Sequence, residues 1–251
     1  TYTVFFGDLF VAFSPMLALF ALVVLRDNRL TILSIGGAFV WLLSILISSI
    51  WWYIIPPMVA KTWFTVLWAV FWQEIVRLGF LFFYFWFERR LTRQQLRTAS
   101  PDVPMPKQLP NHLLVATAIG VGTGFAYILI NYLPIVWEAR GPGALFSPGC
   151  SGVSLFTINA IHVMLYSLLH VVMSVIYFIG FEFKHSRLIL IPLVIFTHYS
   201  ASYLTLLNDP KAHCAGSIAG VFTVLVAATG VMLIALKACP LFSSKRITRL
   251  N

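Results

Sequence analysis

Long apolar stretches alternate with short polar breaks along the whole chain. Seven runs stand out, at about 3–25, 30–55, 62–87, 112–134, 152–181, 188–207 and 215–236. A helix of about 20 apolar residues crosses the roughly 30 Å hydrocarbon core of a bilayer, and each run reaches that length. The longer runs are expected to tilt or protrude. None shows the polar–apolar alternation of a membrane β-strand, and irregular backbone is unsatisfied in lipid, so the runs predict α-helices. The expected fold is all-α: a polytopic seven-transmembrane helix bundle forming one membrane domain over 1–251. No basic segment or small-residue cleavage pattern precedes the first run, which is expected to be a permanent span rather than a removed signal peptide.

The breaks carry turn-forming residues: Arg26-Asp27-Asn28-Arg29, Pro56-Pro57, Gly141-Pro142-Gly143 and Asn208-Asp209-Pro210. Only the break at about 88–111 has the length and the Pro, Gln and Arg content of a mobile loop. Composition agrees. The chain is 60% hydrophobic and 10% charged, where a soluble domain runs nearer 45–50% and 25%. An ordinary soluble domain, a disordered chain and a disulfide-stapled secreted module are thereby excluded.

Net charge is +9, from 17 Lys+Arg against 8 Asp+Glu. In a soluble protein that excess would point to nucleic acid; here its placement matters more. Thirteen basic residues fall in breaks 1–2, 3–4, 5–6 and the C-terminal tail: Arg26, Arg29, Arg89, Arg90, Arg93, Arg97, Lys107, Lys184, Arg187, Lys237, Lys245, Arg246 and Arg249. The opposite side holds only Lys61, Arg140 and Lys211, with Arg77 inside a span. This positive-inside asymmetry predicts a lumenal or extracellular N-terminus and a cytosolic C-terminus. No nucleic-acid partner is expected. On this map Cys150 and Cys214 lie in two lumenal breaks and Cys239 on the cytosolic side. A Cys150–Cys214 disulfide is one reading and three unpaired thiols the other, with Cys239 reduced or palmitoylated.

Ionisable groups at membrane depth are costly and therefore informative. Span 3 carries Gln73, Glu74 and Arg77. Glu74 and Arg77 are three apart, share a helix face, and are expected to neutralise one another as a structural polar pair. Span 5 carries His162, Tyr166 and His170, and span 6 Thr197, His198, Tyr199 and Ser200. Buried histidines hydrogen-bond across helices, line cavities, bind metals or relay protons. Too few ligands accompany these for a metal site, so polar packing in a helix-lined cavity is the expected role, with no metal or cofactor. Ala116, Gly120 and Gly124 form a small-xxx-small-xxx-small stripe in span 4, with Gly122 between them. Such a stripe lets another helix approach closely, within the chain or from a partner.

Catalytic motifs are missing. The sequence has no Gly-x-Gly-Asp with a second membrane aspartate, no His-Glu-x-x-His and no Gly-x-Ser-x-Gly. Glu74 is the one acid deep in a span, Asp8 is shallow, and a proteolytic dyad needs two buried carboxylates. A non-enzymatic protein is expected.

Several of these residues together resemble the anterior-pharynx-defective (Aph) family, a subunit of γ-secretase. They are Phe6-Gly7 to Pro15 (FGDLFVAFSP), Gly37-Ala38-Phe39-Val40-Trp41-Leu42, Gln73-Glu74-x-x-Arg77, the span-4 stripe, Gly141-Pro142-Gly143, Leu168-Leu169-His170 and Thr197-His198. The resemblance runs along essentially the whole chain in order. It implies a seven-span, non-catalytic scaffold with the orientation read above. It also implies assembly of an intramembrane aspartyl protease with presenilin, nicastrin and a small presenilin-enhancer subunit. Such a complex cuts single-pass membrane proteins, and the scaffold would reside in endoplasmic reticulum, Golgi, plasma membrane and endosomes, among membrane lipids. By the same resemblance Ala116, Gly120 and Gly124 would pack against partner helices, and His170 and His198 would line a cavity facing presenilin. Ala116 stands where the family's stripe has its first glycine, and the two lumenal cysteines are not a family feature.

The alternative is a seven-helix receptor or transporter with a histidine-lined cavity. Against a receptor, span 3 ends in Glu88-Arg89-Arg90 rather than Asp-Arg-Tyr, and span 7 has no Asn-Pro-x-x-Tyr. Against a transporter, no paired broken helices occur in repeat-related halves.

Overall fold

Residues 2–98, 111–141, 145–147, 150–208 and 214–238 are described by a computed structural model of the chain. Its helices are α1 (Tyr2–Leu22), α2 (Asn28–Ile54), α3 (Pro56–Ala60), α4 (Thr62–Thr98), α5 (His112–Asn131), α6 (Leu133–Glu138), α7 (Leu155–Glu182), α8 (Lys184–Leu204) and α9 (Cys214–Ala238). All but the short α3 and α6, seven in number, are long and apolar enough to cross a membrane. The protein is a multi-pass membrane protein of all-helical class, apart from one short hairpin.

Local signals explain the helix ends. Asp27 Oδ1 accepts from Arg29 N–H at 2.9 Å, Asn111 Oδ1 from Leu113 N–H at 2.9 Å, and Ser154 Oγ from Phe156 N–H at 3.2 Å. Each side-chain acceptor satisfies an otherwise orphaned first-turn donor. Helix α4 runs 11 residues past the expected end of span 3, to Thr98. The Arg, Gln, Glu and Leu residues there favour helix, and the first proline is Pro101. Part of the expected 88–111 loop is therefore helix. A second departure precedes α7, where Phe146–Ser147 pairs antiparallel with Cys150–Ser154.

Burial ranks the helices. In the most apolar window of α7, 89% of residues are buried, against 61% in α5 and 22–28% in the other five spans. Helix α7 is thus the axis, and α5 packs beside it, between α7 and α2. The outer helices turn bulky apolar side chains outward, Phe39, Phe82 and Phe196 among them. On α2 the inward stripe is instead Leu30, Ser34, Gly37, Trp41, Ser44 and Ser48. Small and polar residues inside, large ones outside, is the arrangement expected where lipid removes the hydrophobic drive between helices.

Glycines set the closest approaches. A Cβ on Gly122 would lie 1.7 Å from the Ser34 carbonyl oxygen, and one on Gly37 would lie 2.3 Å from that of Ile119. Those two join α5 to α2. A Cβ on Gly120 would meet Val171 Cα at 2.6 Å, and one on Gly124 would meet Met16 Sδ at 2.8 Å and the Ser167 carbonyl at 3.1 Å. Two residues along a helix rotate roughly 200° about its axis, so Gly122 serves the opposite side of α5 from Gly120 and Gly124.

Candidate functional site

At the core of the bundle α4, α7 and α8 contribute one connected polar cluster. Glu74 is 3% exposed, Arg77 7%, His198 2% and His170 0%. Arg77 Nη1 donates to Glu74 Oε1 at 3.0 Å, and His198 Nδ1–H donates to the same oxygen at 2.5 Å. The Tyr177 hydroxyl donates to Glu74 Oε2. The second guanidinium nitrogen, Nη2, donates to His170 Nδ1 at 3.0 Å. An arginine only donates, so His170 Nδ1 is the unprotonated nitrogen of that ring. The histidine rings meet edge to face, 5.5 Å between centroids, and Tyr127 of α5 meets His170 likewise at 5.2 Å.

The cluster is satisfied around the carboxylate, while His170 Nε2, the protonated nitrogen of that ring, is buried without a hydrogen-bond partner among the described residues. Both carboxylate oxygens have donors, and the charge opposite is an arginine one helical turn away. A buried charge without its partner is far more costly than the pair, so the cluster fixes how α4, α7 and α8 sit relative to one another. Replacing Tyr177 by Phe removes one donor to a charged acceptor. That substitution is expected to lower stability by about 1.5–3 kcal/mol, measured by thermal unfolding in detergent.

The structure redistributes the other residues singled out in the sequence. Gln73, beside Glu74 in sequence, stands apart: its Oε1 accepts from Trp41 Nε1 at 3.3 Å, tying α4 to α2. The His162–Tyr166–His170 row divides among three neighbours. His162 Nε2 bonds Ser217 Oγ of α9 at 2.9 Å, and Tyr166 stacks on Tyr127 at 5.4 Å. Only His170 joins the Glu74 cluster, through Arg77. Thr197 bonds the Leu193 carbonyl of its own helix, and Tyr199 OH reaches the Leu67 carbonyl at 3.1 Å.

The resemblance assigns Ala116, Gly120 and Gly124 to partner helices, but that face of α5 is covered within the chain. Ala116 is fully buried, Gly120 lies on α7, and Gly124 lies on α7 and α1. The His170 and His198 rings are likewise enclosed by neighbouring side chains of this chain rather than presented to an open cavity. Among the described residues no group of three His, Cys, Asp or Glu is arranged to hold a metal ion. The side chains of Cys150 and Cys214 lie outside the described residues, as do Cys239, Pro142 and Gly143.

Three polar contacts were not anticipated from the residues alone. Tyr177 is one; a tyrosine in an apolar run reads as one more aromatic. Thr157 Oγ1 donates to Asp8 Oδ2 at 3.2 Å, joining α7 to α1. His112, at the start of α5, lies between Glu88 of α4 at 2.7 Å and Glu182 of α7 at 2.8 Å. A histidine and a glutamate at opposite ends of apolar runs, together with Glu88, were the available signal.

Known proteins match along the same length. A family model described as "Aph-1 protein" matches residues 3–238. The chain is 33% identical over 205 residues to the γ-secretase subunit Aph-1 of Drosophila melanogaster, covering 81% of each chain. It is 30% identical to the mouse γ-secretase subunit APH-1B, covering 83% of this chain and 80% of the relative. Against the human γ-secretase subunit APH-1B it is 27% identical, covering 100% and 98%.

Proposed function

The chain belongs to the Aph-1 protein family, and from that premise we propose that it is a non-catalytic scaffold and assembly subunit of a γ-secretase intramembrane aspartyl protease complex. Its partners are presenilin, which supplies the catalytic aspartates, nicastrin and the presenilin-enhancer subunit. Its N-terminus faces the lumen or exterior and its C-terminus the cytosol, a reading that the basic-residue asymmetry supports. The whole chain forms one membrane domain, resident in endoplasmic reticulum, Golgi, plasma membrane and endosomes.

One observation carries the non-catalytic reading. Glu74, the acid deepest in the spans, has both oxygens engaged by Arg77, His198 and Tyr177. A carboxylate that cuts peptide bonds in the membrane must share a proton with a second carboxylate and meet substrate. Here the carboxylate is a structural counterion. The same cluster supports a scaffold, since it holds three helices in register and leaves the large apolar outer faces for lipid and partner helices.

Co-purification from membranes in mild detergent tests the proposal. A tagged chain is expected to bring down stoichiometric membrane partners, including a subunit with paired membrane aspartates. Recovery of the chain alone, with catalytic subunits assembled elsewhere, would overturn it. Replacing His170 and His198 together by Leu is expected to reduce the yield of assembled complex about tenfold, the equivalent of roughly 1.4 kcal/mol. Cleavage per assembled complex should be unchanged. Gly120→Leu, which forces α5 off α7, is expected to lower folded chain and complex in parallel.

A further inference from the structure

We propose that His112 is a proton-dependent clasp joining the ends of helices α5 and α7 to α4 at Glu88, closed when the site holds a shared proton and opened by its loss. The inference goes beyond a scaffold role and rests on the contacts of this site alone. His112 Nε2 lies 2.7 Å from Glu88 Oε1, and Nδ1 lies 2.8 Å from Glu182 Oε2. The side chains of all three are largely buried, with 7%, 13% and 12% of their surface exposed. An ionised carboxylate only accepts hydrogen bonds, whereas a neutral imidazole has one N–H. Both short contacts therefore exist together only if the ring carries two protons or a carboxylate carries one. In either form the trio holds one proton more than a neutral ring between two carboxylates.

Removing that proton leaves two negative charges about a ring with a single donor. One contact then sets a nitrogen lone pair against a carboxylate oxygen and must open. The sign follows: the clasp is closed at lower pH and is lost as pH rises through the ring's titration. Two aromatic rings and the arginines of α8 and α4 flank the site. Phe85 meets the His112 ring edge to face at 5.6 Å, and Phe178 closes another side at 6.2 Å. Arg187 of α8 donates to the Phe181 carbonyl at 2.8 Å and lies over the Phe181 ring. On α4, Arg90 lies over Trp86 at 4.8 Å, and Arg89 follows Glu88 on the exposed side of the helix.

Opening would free the end of one helix from its neighbours. Helix α4 continues from Glu88 to Thr98 beyond the clasp, so the projecting, arginine-bearing end of α4 is the element the clasp controls. Its basic residues place that end at the cytosolic face if the positive-inside reading holds; the clasp itself does not depend on it.

The test uses the full chain in lipid nanodiscs with nitrogen-labelled histidine. His112 signals are assigned by their loss in His112→Gln. From about pH 5 to about pH 10, a range that brackets ordinary histidine titration, the ring is expected to pass from two hydrogen-bonded N–H groups, or one N–H with a short acid contact, to one N–H and one bare nitrogen. Hydrogen exchange over 84–92 and 112–118, corrected for its intrinsic pH dependence, is expected to rise at least about tenfold over the same titration, the factor for losing one bond to a charged group. Glu182→Gln and Glu88→Gln keep the shape and need no extra proton, so each is expected to flatten that rise. An equal rise in wild type and both glutamine variants would overturn the proposal. So would wild-type exchange that stays flat while the ring titrates, a readout that needs no variant.

Discussion

Replacing Glu74 by leucine is expected to destabilise the folded chain by about 3–5 kcal/mol, the range for removing one partner of a buried ion pair. The cause is what remains. Arg77 is 7% exposed, and without Glu74 its charge keeps, among the described residues, His170 Nδ1 as acceptor. The His198 N–H and the Tyr177 hydroxyl lose their acceptor at the same time. Leucine at both Glu74 and Arg77 should recover much of the loss, because a buried pair replaced by apolar residues is often close to neutral. Thermal unfolding of the two single variants and the double variant in one detergent gives the coupling energy. If Glu74→Leu and the double variant lose equal stability, the guanidinium is not the source of the penalty.

Gly122→Ala is expected to cost at least about 3 kcal/mol, at or beyond the top of the usual overpacking range. The added Cβ would sit 1.7 Å from the Ser34 carbonyl oxygen. That atom is backbone, so no rotamer change relieves the clash; α2 and α5 must separate. Gly230→Ala is the control. Nothing lies within 4 Å of its Cβ position, and alanine gains up to about 1 kcal/mol of helix propensity. Unfolding midpoints that fall steeply for the first and hold or rise for the second are the expected result. Equal midpoints would show that α2 and α5 do not touch at Gly122.

Much of the architecture is legible in the chain because a bilayer makes the requirement simple. A helix must present about 20 apolar residues to lipid, and seven segments do. The parts that escape such reading depend on which helix meets which. Glu74 and Arg77 are recognisable as a pair from their spacing alone. That His198, His170 and Tyr177 converge on them depends on the packing of α7 and α8 against α4, which no local period encodes. The row of His162, Tyr166 and His170 likewise shares a broad helix face, yet α7 is surrounded: His162 bonds α9, Tyr166 stacks on α5, and His170 bonds α4 while also meeting α5.

Small residues show the same limit. Ala116, Gly120 and Gly124 announce a close contact without saying with what, and within this chain α7 and α1 occupy it. Gly122 and Gly37 bring backbones together at least as closely, but in sequence Gly122 only sits between the stripe's members and thins the helix. The extension of α4 to Thr98 was hidden by residues that favour both helix and solvated loop. His112 stands in sequence at the edge of a span, and its two carboxylate partners are 24 and 70 residues away.

The central claim is that this chain holds a membrane protease together and does none of the cutting. Turnover per assembled complex, with active sites counted by a tight inhibitor, tests it in complexes carrying Glu74→Gln or Asp8→Asn, the neutral forms of two buried membrane acids. The account predicts fewer complexes for Glu74→Gln and, in both cases, turnover per complex within about twofold of wild type. A complex of normal composition whose turnover falls about a hundredfold or more, the scale of losing a catalytic acid or base, would contradict it.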